Sequence, residues 1–197
     1  MKLFSRILGE GQPLLILHGL FGMSDNWQSL GKQFADFFEV HLIDQRNHGR
    51  SPHSAVFNYE VLTDDLLKYI KDHKLKNVLL MGHSLGGKIA MKLAVHHSEI
   101  VEKLIVVDIS PKAYPVHHDK IIKGLFSLDF KELKSRSEAE RKLAEHIVDA
   151  GIRQFLLKSL FWANKEQLAF RFNLKSIAEQ INEVGKSLTD KSEYNGP

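Results

Sequence analysis

Four short aliphatic runs constrain this chain more than any other feature: Leu14-Leu15-Ile16-Leu17, Val40-His41-Leu42-Ile43, Val78-Leu79-Leu80-Met81 and Leu104-Ile105-Val106-Val107. Each is brief, mostly branched, and closed by Gly, Asp or a turn. That pattern suits strands buried on both faces of a parallel sheet. Parallel neighbours need crossover connections, and amphipathic stretches stand between the runs. Trp27, Leu30, Phe34 and Phe37-Phe38 predict one helical face, and Leu62, Leu66, Tyr69 and Ile70 another. Asp25 and Thr63-Asp64 offer acceptors near the helix starts. The expected architecture is a three-layer α/β domain with right-handed crossovers. Residues 2–8, before the Gly9-Glu10-Gly11 turn, predict an antiparallel edge strand.

The pattern changes at Pro111. Residues 1–110 form the expected core, 111–190 a helical cap, and 191–197 the start of a return to the core. Over 112–186 the periodicity is helical, with no buried strand expected. Leu143 and Ile147, then Ile152, Phe155, Leu156 and Leu160, mark helix faces that Gly151 separates. Nine of the 18 aromatic residues follow Pro111. Most are expected to form the core of the cap, and some to wall an apolar pocket over the carboxyl edge of the sheet.

Composition then excludes whole classes. With 43% hydrophobic residues and a net charge of +3, the 197 residues are too apolar and too weakly charged for disorder. No apolar run approaches the roughly 18–20 residues of a membrane span. Met1-Lys2-Leu3-Phe4-Ser5-Arg6 has no apolar signal region, so a cytoplasmic address is expected. There are no cysteines, hence no disulfides, thiolate zinc sites or iron–sulfur clusters. No basic stripe with interleaved aromatics points to nucleic acid. No two histidines stand at i, i+4, so no metal is inferred.

Gly82-His83-Ser84-Leu85-Gly86 matches G-x-S-x-G where its chemistry requires it. Residues 77–81 read as a strand, and 85–95 as a helix with small residues at Gly86, Gly87, Ala90 and Ala94. A serine on so tight a turn exposes Oγ, and the Leu85 N–H and the helix N-terminus face the oxygen it would polarise. The same segment nearly spells a phosphate loop, but Ile89 stands where Ser or Thr would ligate magnesium. His18-Gly19-Leu20-Phe21-Gly22 follows the first parallel run and offers a second oxyanion donor, from Leu20 or Phe21. His18 reads as a structural hydrogen-bonder of that loop. In Asp44-Gln45-Arg46-Asn47-His48-Gly49-Arg50-Ser51, Asp44 and Arg46 are expected to pair and brace the turn.

His-Gly-Leu-Phe-Gly, Asp-x-Arg-Asn-His-Gly-x-Ser, Gly-His-Ser-Leu-Gly-Gly-Lys and Asp108-Ile109-Ser110-Pro111 occur in this order. Together they resemble the α/β-hydrolase superfamily, and within it the YbfF-type bacterial esterases and the related abhydrolase domain-containing protein 11. Tyr114-Pro115-Val116-His117-His118-Asp119 and Gly151-Ile152-Arg153-Gln154-Phe155-Leu156-Leu157-Lys158-Ser159 extend the resemblance into the cap.

The resemblance implies Ser84 as nucleophile, Leu20 and Leu85 as oxyanion donors, and Asp108 as triad acid. It implies no cofactor. The family's catalytic histidine lies late in its chain, whereas here the eleven histidines stop at His146. The expectation is an α/β-hydrolase fold lacking its last strand–helix units, with the base beyond Pro197 and self-association through the incomplete sheet edge. His117 and His118, beside Asp108, are the nearest resident substitutes. The implied activity is hydrolysis of small apolar carboxylic esters, or acyl thioesters, through an acyl-Ser84 intermediate. The competing expectation is an impaired fragment or a non-enzymatic binding or regulatory module. Carbon–carbon bond hydrolysis or dehalogenation is a third use of the fold.

Overall fold

The aliphatic runs become adjacent strands of one sheet in the computed structural model, which describes residues 1–188 and 193–197. The strands are β1 (Ser5–Leu8), β2 (Pro13–Leu17), β3 (Glu39–Ile43), β4 (Val78–His83) and β5 (Val101–Val107). Their order is β1-β3-β2-β4-β5, with β1 antiparallel to β3 and the other pairs parallel. Leu14 pairs with Val40 on one side and Leu79 on the other. The chain leaves β2 in one direction and resumes at β4 in the other, which opens a crevice at the carboxyl ends of β2 and β4.

Alternation along each strand sends side chains to two separate cores. Leu15, Leu17, Ile43, Leu80 and Val78 pack beneath α2 (Tyr59–Asp72) and α3 (Leu85–His96). Leu14, Ile16, Val40, Leu42, Leu79 and Met81 face the other way, against Trp27, Phe34 and Phe38 around α1 (Gln28–Phe34). Phe37, expected on the same helical face, is exposed instead, because α1 ends at Phe34. The expected helix-start acceptors are also replaced. Asn58 caps α2 by accepting the Val61 N–H, five residues before Thr63. Thr63 lies inside the helix and donates to the Tyr59 carbonyl, while the Asp25 carboxylate pairs with Arg6 at 2.6 Å.

Beyond Pro111 come α4 (Asp119–Phe126), α5 (Arg136–Ala144), α6 (Ala150–Lys158), α7 (Leu174–Glu179) and α8 (Ile181–Gly185). The expectation of helices alone is corrected by an antiparallel ribbon of β6 (Leu160–Trp162) and β7 (Leu168–Phe170). Three-residue strands leave too little period-2 pattern to register in sequence. Gly151 does not separate the helices; it lies in the first turn of α6, which Asp149 caps through the Ile152 N–H. Leu143, Leu156, Leu160 and Leu168 are buried and continue the core that Leu15, Leu17 and Leu80 begin. Ile152 and Phe155 are part-exposed. The expected boundary at 190/191 lies outside the described residues.

Among the contacts that fasten the segment expected to be a cap to the sheet and its helices, two stand out. Asn47 receives the Asn173 N–H at its carbonyl (2.9 Å), and its amide donates to Ser176 Oγ. Lys88, buried in α3, donates its ammonium to the Lys186 carbonyl, with the rings of Tyr59 and Tyr114 at 5.6 and 5.2 Å. Burial lowers its pKa, since the ammonium loses hydration there.

Candidate active site

Glycines force the turn at Ser84. A Cβ on Gly82 would stand 2.2 Å from the Gly86 carbonyl oxygen, and one on Gly86 would stand 2.6 Å from that of Leu17. Only bare backbones let β4 turn so abruptly into α3. Ser84 itself sits at φ 51°, ψ −116°, outside the comfortable regions for a side-chain-bearing residue. Its N–H donates to the Val107 carbonyl at 3.0 Å, which ties the turn to the end of β5. Its hydroxyl has no hydrogen-bond partner among the described residues, nor has the N–H of Leu85 at the start of α3.

The loop after β2 closes on the same point. Gly22 N–H returns to the Gly19 carbonyl, and a Cβ on Gly19 would lie 3.3 Å from Ser84 Cβ. Leu20 and Phe21 were open alternatives in the sequence. The Phe21 N–H is committed, donating to His48 Nε2 at 3.1 Å, while the Leu20 N–H has no partner among the described residues. Leu20, next to Gly19, and Leu85, next to Ser84, thus each carry a backbone N–H with no partner among the described residues.

Two buried imidazoles hold this loop. His18 Nδ1 meets the Gly19 carbonyl at 2.8 Å, and its Nε2 receives the Gln45 N–H at 3.1 Å. His48 Nδ1 meets the Arg46 carbonyl at 2.9 Å. Burial, reinforced by their mutual repulsion, lowers the pKa of His48 to about 3, and burial lowers that of His18 to about 4. The expected Asp44–Arg46 pair does not form. Asp44 instead accepts the N–H groups of Ser24 (2.5 Å) and Arg50 (2.8 Å), while Arg46 crosses to Asp65 on α2 at 2.6 Å. Gly49, at φ 59°, folds the loop so tightly over Asp44 that the carboxylate meets backbone donors first.

Asp108 directly follows β5, beside the strand β4 that leads into Ser84. It lies at φ 54°, is exposed, and its carboxylate has no partner among the described residues. Phe21, Asn47, Ser84 and Asp108, one after each parallel strand, all have positive φ. No imidazole is hydrogen-bonded to Ser84 Oγ or Asp108 among the described residues. His117 is exposed, and His118 precedes α4 with its Nδ1 buried and unpaired. Nor do three His, Asp or Glu side chains converge as metal ligands among the described residues.

An apolar cavity of about 430 Å³ adjoins the Gly19 loop, walled by Trp27, Leu30, His83 and the cap's Phe155. Sequence reasoning expected some of the aromatics after Pro111, Phe155 among the candidates, to wall an apolar pocket without saying which, and passed over Trp27 and His48 as site residues. Trp27 and His83 stand beside residues already singled out, with rings 6.2 Å apart. Their neighbourhood to the two glycine loops was the available signal.

Residues 12–135 match the model of the alpha/beta hydrolase fold family. The chain belongs to that family. This chain is 32% identical to Esterase YbfF of Escherichia coli over 176 residues, covering 89% of this chain and 67% of that protein. It is 36% identical to the sn-1-specific diacylglycerol lipase ABHD11 of Danio rerio, covering 96% of the chain and 62% of the relative. Among solved structures it resembles a marine microorganism esterase, with TM-score 0.93, 42% identity, and coverage of 96% and 76%. The chain spans about three fifths of the length of the first curated relatives, 57% and 62%.

Proposed function

We propose that this chain carries the nucleophile and oxyanion site of a serine carboxylesterase. The carrying observation is Ser84 on its strained turn, with the unpaired N–H groups of Leu20 and Leu85 beside it. In this reading Ser84 Oγ attacks the carbonyl carbon of an ester or thioester, and the electron pair moves to the carbonyl oxygen. The two N–H groups and the positive end of α3 stabilise that charge. Collapse expels the alcohol or thiol and leaves acyl-Ser84, which water hydrolyses. Asp108 would orient an imidazole that takes the Ser84 hydroxyl proton on attack and returns it to the departing alcohol or thiol, and would stabilise its protonated form in between. That imidazole is proposed to come from outside the residues described, because Ser84 and Asp108 are both unpaired here. The esterase and lipase names of the relatives support the reaction class, and the apolar cavity supports a small apolar acyl or alcohol group. The same unpaired Ser84 and Asp108 favour a second reading, a ligand-binding module that does not turn over.

A fluorophosphonate probe tests the first reading. The wild-type chain should become labelled on Ser84, slowly, and Ser84→Ala should abolish the adduct. Peptide mapping that places the adduct on another serine would overturn the assignment.

A further inference from the structure

The Gly19-Leu20-Phe21 loop presents two consecutive N–H groups near Ser84, yet only that of Leu20 is free. What decides between them is His48. Its Nδ1 lies 2.9 Å from the Arg46 carbonyl, a contact that only a protonated Nδ1 makes favourable. Nε2 is then the lone-pair nitrogen, and it is the atom facing the Phe21 N–H at 3.1 Å. The ring has no freedom to choose otherwise. His48 is fully buried, with the His18 ring at 5.1 Å and the Phe57 ring at 6.0 Å.

Phe21 is held from its other side as well. Its backbone is at φ 61°, a conformation disfavoured for a bulky residue, and its ring lies 5.0 Å from the cap's Phe172. Without that acceptor, the buried Phe21 N–H would be driven to turn in search of another partner, toward the solvent-accessible site. The Leu20–Phe21 peptide would rotate and Leu20 would turn with it, so that the adjoining Gly19–Leu20 peptide would carry the Leu20 N–H out of its place.

We propose that His48 is a positioning residue of the acyl-transfer site: by accepting the Phe21 N–H it pins the Leu20–Phe21 peptide and leaves the Leu20 N–H to face the oxyanion. This rests on the reading of Ser84 as nucleophile. Asn47, the preceding residue, binds Asn173 and Ser176 of the cap, so one dipeptide couples the oxyanion loop to the cap.

The test compares His48→Leu, which keeps the volume but removes the acceptor, with His48→Gln, whose amide oxygen reaches toward the Nε2 position. The rate of Ser84 labelling by an alkyl fluorophosphonate is measured on the 197-residue chain, alongside near-UV circular dichroism. Loss of one aligned donor typically costs about 100- to 1,000-fold, so at least a tenfold slowing is expected for His48→Leu. His48→Gln should recover to within about threefold of wild type. Folded His48→Leu that labels as fast as wild type overturns the proposal while leaving the nucleophile assignment standing. Wild type that never labels on Ser84 overturns the nucleophile reading and this proposal with it. If His48→Leu does not fold, nitrogen-15 NMR of the wild type decides. A scalar coupling between the Phe21 amide nitrogen and His48 Nε2 supports the proposal, and a protonated Nε2 on neutral His48 overturns it.

Discussion

At the scale of single residues, His18 and His48 make acid a probe of the site. Both are neutral in the native state, with pKa values lowered to about 4 and about 3, and both return to about 6.5 when the chain unfolds. Between pH 6.5 and 3 the unfolded chain therefore binds protons that the native chain refuses. Stability should fall steadily as pH drops through that window, with no further loss from these groups below it. Asp44 and Arg46 share their surroundings, as do His53 and His83, and the Asp44 charge only partly offsets the burial of His48. Urea titrations at pH 7, 6, 5 and 4 check this, and His48→Gln should flatten the slope. Sequence could show that His18 and Ser84 stood at turns, because glycine spacing and strand ends are local. It could not show which loop N–H was spoken for. That depends on His48, distant in the chain, and on the tautomer its other nitrogen selects.

At the scale of elements, the strands were legible because aliphatic runs buried on both faces carry a strong local signal. The cap was legible only as helical. Its ribbon is too short for a period, and α6 turns Leu156 and Leu157 inward while Phe155 points toward the cavity beside Trp27. Phe155 is 38% exposed, so Phe155→Ala should cost stability little, about 1 kcal/mol or less. Its effect should fall on selectivity. Wild type is expected to label faster with a medium-chain alkyl fluorophosphonate than with a methyl one, and Phe155→Ala should shrink that ratio severalfold. Equal ratios in the two proteins would remove Phe155 from the substrate slot.

At the scale of the molecule, β5 is the strand with least cover. Ile105 is 41% exposed, and the described residues cover its outer edge sparsely: Leu104 N–H donates to the Pro197 carbonyl, and Tyr194 Oη–H to that of Val101. An edge of this kind templates pairing between chains. The chain is expected to self-associate with rising concentration in analytical ultracentrifugation, and Ile105→Lys should shift it toward monomer by placing a charge on that edge. Concentration-independent monomer in the wild type would show that the edge is quiet. No helix among the described residues is long and apolar enough to cross a membrane.

The four left-handed residues that close the parallel strands set stability against chemistry along one rim. A sheet optimised for folding alone would place glycine or a relaxed turn after β2, β3, β4 and β5. Here the bends bring Leu20, Ser84 and Asp108 to a common edge at a standing cost of about 1–2 kcal/mol per strained residue, less for Asn and Asp. Asp108 isolates the effect, because its side chain has no partner to lose among the described residues. Asp108→Gly should leave urea stability unchanged or raise it by up to about 1 kcal/mol, the relief of strain being partly offset by the added freedom of the unfolded chain. A loss above 1 kcal/mol would mean that the aspartate supports the fold. Otherwise this rim is where the molecule gives up rigidity to keep a reactive geometry, and stabilising substitutions there will tend to silence it.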